Sequence, residues 1–123
     1  HRGNVLWTAG GPHFVDLDDC VTGPAIQDLW MLLAGNAAEM QVQLRDVLEG
    51  YDQCGEFDRV ELRLIEPLRM LRMIHYAAWL ARRWDDPAFP RAFPWFGAPR
   101  YWEDHVRQLT EQLEQLDAPT LRA

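Results

Sequence analysis

The chain has 123 residues and a net charge of -7, from 19 acidic against 12 basic side chains. Such a length supports one domain, able to bury roughly two thirds of its unfolded surface without a metal or disulfide staple. The acidity, relieved by no basic patch, excludes nucleic acid as a partner. Every basic residue is an arginine, and neither lysine nor serine occurs, so chemistry that needs a lysine ammonium or a seryl nucleophile is excluded within these residues. Cys20 and Cys54 are too few and too far apart for a disulfide framework or a zinc site and read as free thiols of a reducing compartment. The longest apolar runs, "LWMLLAG" and "MIHYAAWLA", are shorter than the roughly 18 residues that span a bilayer, and no signal-peptide pattern leads the chain. No membrane contact and a cytoplasmic location are expected.

Val5 to Trp7 and His13 to Leu17 are apolar runs separated by "TAGGP", which reads as a β-hairpin. From Pro24 the period becomes helical. "GPAIQDLWMLLAG", with proline at its start and glycine at its end, predicts a helix of about ten residues. Asn36 with Glu39, and Asp58 with Glu61, fit capping boxes that open helices over Ala37 to Gln53 and Arg59 to Trp84. Pro67 should kink the second of these or divide it into two consecutive helices. Leu68, Leu71, His75 and Ala78 form one stripe on it, broadened by Met70, Met73, Ile74, Ala77 and Leu80, which places this helix in the middle of a core. "DDPAFPRAFPWFGAP" is too rich in proline for helix and too aromatic for a solvated linker, so an ordered, packed loop is expected. A last helix over Arg100 to Leu116 carries Trp102, Val106, Leu109, Leu113 and Leu116 on one side, docked by default on its own body. The fold class is mainly α, a short hairpin followed by four or five helices, read as one domain with the hairpin in residues 1–19 and a helical subdomain in 24–123.

With the hairpin turn centred on Gly10, antiparallel pairing sets Asn4 opposite Asp16 and Leu6 opposite Phe14. Alternation keeps Asn4, Leu6, Phe14, Asp16 and Asp18 on one face, with Val5, Trp7, Val15 and Leu17 on the other. An amide oxygen and carboxylates in one small volume are the hard donors that magnesium prefers. In the competing reading, Asn4, Asp16, Asp18 and Asp19 only solvate the hairpin end and cap the next turn. Asp28 lies among Ala25, Leu29 and Leu32, which follow one another at four- and three-residue spacing, and so sits on or beside a buried face; it either accepts loop backbone amides or reaches water at the edge of the stripe. His75 reads as a satisfied core histidine, and Phe89, Phe93, Trp95 and Phe96 as packing under the proline-rich loop.

"HRGNVLW", "FVDLDD" and "GPAIQDLWMLL" resemble the second half of the signature of aminoglycoside phosphotransferase and choline kinase-like enzymes, commonly HGD-x-H-x-GN, a strand pair ending in I/V-D, then a D-P-A-x-D-L-like segment. Together with "LIEPLRMLRMIHYAAWLARRW", "DPAFP" and "FPWF", these segments more closely resemble, in order, a bacterial protein-kinase branch of that family. The resemblance implies the C-terminal lobe of a protein-kinase-like fold, in an ATP- and Mg-dependent enzyme that phosphorylates serine or threonine of proteins in stressed cells. It assigns Asn4 and Asp16 as magnesium ligands, with Asp18 as a candidate further contact, His1 and Gly3 as catalytic-loop positions, and Asp28 as the aspartate that braces that loop. The glycine-rich loop and the lysine of such enzymes are missing, and the catalytic aspartate would lie two residues before His1. The chain is therefore expected to be an inactive lobe of a longer parent. Two alternatives stand beside this: a small-molecule phosphotransferase acting on an amino alcohol, sugar or antibiotic, and a noncatalytic helical binding module.

Overall fold

The computed structural model of the chain describes residues 2–18, 20–117 and 121; the expectations for His1 and Asp19 fall outside them. The described chain is mainly α, with a short antiparallel hairpin and five α-helices. It divides into two compact units, His1–Ile65 with Leu121–Ala123, and Glu66–Thr120. The division falls between Ile65 and Glu66, in the stretch that the sequence reads as a kinked helix or two consecutive helices.

In the first unit, β1 (Val5–Thr8) pairs with β2 (Gly11–Phe14), Val5 opposite Phe14 and Leu6 opposite His13. The turn is held by Thr8, whose Oγ1 accepts from the Gly10 N–H at 3.2 Å and donates to the Gly11 carbonyl at 3.1 Å. Gly11 sits at φ 106°, a conformation side chains with a Cβ rarely adopt. This corrects the expected register. The turn is Ala9–Gly10 and not centred on Gly10, so the strands are offset by one residue and Leu6 and Phe14 leave on opposite faces.

The expected ten-residue helix is one α turn, α1 (Ile26–Leu29), that tightens into a 3-10 turn at Trp30–Leu32 and ends at Leu33 in extended backbone. Its buried stripe is Ile26, Trp30 and Leu33. The Ile26 N–H, left without an intrahelical acceptor at the helix start, donates to the Glu61 carboxylate at 3.0 Å. α2 (Ala37–Tyr51) opens on the predicted capping box: Asn36 Oδ1 accepts from the Glu39 N–H at 3.0 Å, and Glu39 returns an acceptor to the Asn36 N–H at 2.8 Å. The Gln43 amide pairs with both backbone groups of Ala34 at 2.9 Å each, fixing the loop ahead of α2. Leu44 and Leu48 are buried, and Tyr51 sets its ring edge-on against Phe57 at 5.7 Å. Asp58 caps the Val60 N–H at 2.9 Å and opens a 3-10 segment, Arg59–Leu64. Glu61 does not close the expected box there, because its carboxylate is held at Ile26.

In the second unit, α3 (Ile65–Ala81) begins where that 3-10 segment ends. Pro67 lies in the first turn of α3, where its missing N–H has no intrahelical acceptor, so it starts a helix rather than kinking one. The expectation of a helix buried nearly all round is corrected: Ala77 and Leu80 are buried, while Leu71 is 61% and Ile74 47% exposed, and His75 is exposed too. The proline-rich stretch is not wholly loop. Asp86 accepts from the Ala88 N–H at 2.9 Å and opens a short helix, α4 (Ala88–Ala92). Around it Trp79, Phe89 and Phe93 make edge-on contacts, Trp84 and Tyr101 pack on buried Phe96 at 5.0 and 5.1 Å, and Arg83 lies 4.7 Å over the Trp79 ring. The aromatic stretch is thus the core of this unit, the packing role expected of it.

α5 (Pro99–Gln115), with proline in its first turn, is corrected in a similar way. Val106 and Leu113 of its apolar stripe are 61% and 55% exposed, while Gln112 is buried. The Gln112 amide donates to the buried Glu66 carboxylate at 2.7 Å and to the Glu66 carbonyl at 3.3 Å, and Arg69 meets the same carboxylate at 3.3 Å. A buried carboxylate is costly without such partners. Replacing Gln112 by Leu should therefore lower stability by about 1–3 kcal/mol, read as a lower urea midpoint. Val106→Gln, on the apolar stripe but exposed, should stay within about 0.5 kcal/mol.

Burial, followed by the neighbouring Tyr76, pushes the Tyr101 hydroxyl above its ordinary value of 10.0. The folded state thus favours the neutral phenol. The stability this contributes is present below the unfolded value and is lost as pH rises through the folded one. Thermal unfolding followed between pH 9 and 11 should show a decline that Tyr101→Phe reduces.

Candidate functional site

Asn4 closes a 3-10 turn, Arg2–Asn4, immediately before β1, and its carbonyl accepts from the Val15 N–H at 3.1 Å, extending the ladder past the last paired residues. Asn4 Nδ2 then donates to Asp16 Oδ2 at 2.9 Å. Register alone does not bring them together, since Asn4 lies opposite Val15 and strict alternation would send Asp16 to the other face. The backbone does it. Asp16 is the one described residue other than glycine with positive φ, 64°, a conformation that aspartate tolerates better than most L-residues.

The bond engages the amide nitrogen and one carboxylate oxygen, leaving Asn4 Oδ1 and Asp16 Oδ1 as hard donors. Asn4 is half-buried and Asp16 exposed, and among the described residues no cation pairs with Asp16. Two protein oxygens suit an ion that keeps waters and phosphate oxygens in its shell, as magnesium does. No group of three or more His, Cys, Asp or Glu among the described residues could hold a metal by itself. Asp18 is exposed, and no hydrogen bond ties it to the pair. Gly3 is exposed in the turn that delivers Asn4.

Asp28 is exposed on α1, and the expected placement on or beside the buried stripe is corrected, since Ile26, Trp30 and Leu33 bury the opposite side. Its carboxylate is free to meet groups outside the described residues. Cys20 and Cys54 are exposed free thiols. No helix among the described residues is long and apolar enough to cross a membrane.

Sequence reasoning overlooked the left-handed turn at Asp16; the available signal was an aspartate directly after a short strand, in "FVDLDD". It also overlooked Glu61 as the anchor of α1, for which the capping pattern offered a local partner instead. Replacing Asp16 by Asn keeps the tolerance for positive φ, whereas Asp16→Ala places a Cβ in that region without a compensating polar group. The alanine variant should be less stable than the asparagine variant by about 1 kcal/mol, as compared by thermal unfolding.

Residues 1–65 match the phosphotransferase enzyme family. Over 122 residues the chain is 53% identical to stress response kinase A of Salmonella typhi and 52% identical to the protein of that name in Escherichia coli K12. It is 52% identical over the same length to the serine/threonine protein kinase RdoA of Salmonella typhimurium. Each alignment takes in 99% of this chain and 37% of the relative, so the chain spans little more than a third of the length of these relatives. The hairpin and the helices after it are those of a kinase-like C-terminal lobe.

Proposed function

Because the chain belongs to the phosphotransferase enzyme family, we propose that it is the metal-binding lobe of an ATP- and magnesium-dependent kinase acting on serine or threonine of cytoplasmic proteins under stress in bacteria. The observation that carries this reading is the Asn4–Asp16 pair, 2.9 Å apart at the open end of the hairpin. In phosphoryl transfer a divalent ion neutralises charge developing on the β and γ phosphates. Asn4 Oδ1 and Asp16 Oδ1 are the atoms that would hold it, and the Asn4–Asp16 hydrogen bond orients both side chains beforehand, as groups around a metal site commonly do. Asp18 is one further candidate contact.

His1 and Gly3 take the catalytic-loop positions, Asp28 is assigned to brace that loop through groups outside the described residues, and the carboxylate that orients the acceptor hydroxyl lies in chain preceding His1. On this reading residues 1–123 alone do not transfer phosphate, because no lysine or second lobe is at hand to grip the nucleotide. The exposure of Leu6, 50%, two residues from Asn4 on the same face of the hairpin, supports it, since a nucleotide and a second lobe would cover apolar surface there.

In the full-length protein, Asp16→Asn should lower magnesium-dependent phosphorylation of casein by a factor on the order of a hundred or more while leaving the melting temperature nearly unchanged. Unchanged phosphorylation would overturn the assignment. Turnover of choline or an aminoglycoside in place of casein would favour a small-molecule phosphotransferase.

A further inference from the structure

Two grooves run along α2 and the turn that follows it, inside the first unit. The first, about 470 Å³, has Leu44 and Leu48 as its floor and Val42, Arg45 and Glu49 along its sides. The second, about 840 Å³, is lined by Phe57, Glu56 and Asp58. Asp52 and Arg59 line both and pair with each other at 3.6 Å, so one ion pair marks where the grooves meet.

The charge of this trough is lopsided. Its two arginines already have carboxylate partners, Arg45 with Asp46 at 3.2 Å and Arg59 with Asp52. Asp52 and Asp58 also cap backbone N–H groups of Phe57 and Val60. Glu49 and Glu56 are exposed and form no ion pair among the described residues. A ligand for the trough therefore brings positive charge for these two carboxylates and an apolar group for the wall formed by Val42, which is 51% exposed.

Dimensions favour a peptide over a small cation. From Gln41 to Asp52 the helix advances about 16 Å at ~1.5 Å per residue, which an extended segment of about five residues spans at ~3.3 Å each. Choline or an amino sugar would fill only a fraction of that length.

We propose that this trough docks a short extended segment of the protein substrate in which arginine or lysine alternates with apolar side chains, at residues separate from the Asn4–Asp16 site. The proposal rests on the protein-kinase reading above, yet its test needs no phosphoryl transfer, so the two can fail separately. A fluorescein-labelled eight-residue peptide carrying two arginines and two leucines is titrated with the chain and followed by anisotropy, beside a counterpart with glutamates for arginines. Saturable binding of the arginine peptide alone is expected. It should be weakened at least fivefold by Glu49→Lys with Glu56→Lys, and by Val42→Asp, all at exposed positions.

In the full-length enzyme the same charge reversals should raise KM for a substrate carrying that segment and leave kcat unchanged. Absence of binding, binding indifferent to all three substitutions, or displacement of the peptide by millimolar choline would each overturn the proposal. If Asp16→Asn leaves casein phosphorylation intact, the metal assignment at Asn4 and Asp16 falls; if the full-length protein phosphorylates no protein while the peptide still binds, the kinase reading falls and the trough remains a binding site for a basic, apolar segment.

Discussion

One backbone angle governs the candidate site. Were Asp16 to continue as ordinary strand, its carboxylate would leave the hairpin on the face away from Asn4, and the two hard donors would be separated by the thickness of the ribbon. The left-handed turn at φ 64° brings them within 2.9 Å. Such a conformation costs a residue with a Cβ on the order of 1 kcal/mol, and local strain of this kind persists only where the surroundings over-determine it. Here two bonds do so, the ladder bond from Val15 to the Asn4 carbonyl and the side-chain bond to Asn4 itself. Aspartate thus serves twice at this position, as the partner of Asn4 and as the residue type that accepts the turn.

The same economy is absent from the faces of the helices. α3 and α5 expose leucine, isoleucine and valine, while α5 buries a glutamine and α3 a glutamate. A buried amide and carboxylate specify one arrangement because any other leaves a polar atom without a partner, whereas apolar contacts of similar size can be remade in several registers. Within the second unit the polar pair therefore fixes how α3 and α5 align, and the aromatic cluster of Trp79, Trp84, Phe96 and Tyr101 supplies most of the apolar contact.

Local chemistry was legible in the sequence. The capping box of Asn36 and Glu39, the hairpin glycines and the helix after Ala37 could all be read from residue types and spacing. What misled was periodicity taken as burial. Leu71, Ile74, Val106 and Leu113 recur at helical spacing, yet spacing records which residues share a face and not whether anything covers it. The hairpin shows a related limit: the meeting of Asn4 and Asp16 was expected from a register that is one residue out, and it arises through a backbone angle that no alternation rule contains. Asp58 and Glu61 likewise had the spacing of a capping box, but a tertiary acceptor site at Ile26 took the glutamate.

That diversion of Glu61 has a consequence in time. The carboxylate that receives the Ile26 N–H lies 35 residues further along the chain. A ribosome adding about 5–20 residues per second needs roughly 2–7 s to reach it. Throughout that interval the hairpin is already synthesised, but α1, which follows it in the chain, lacks this anchor. The hairpin, whose bonds lie within residues 4–16, can thus close before α1 is secured, which sets an order for assembly during translation: α1 gains this anchor only once the chain through Glu61 has left the exit tunnel.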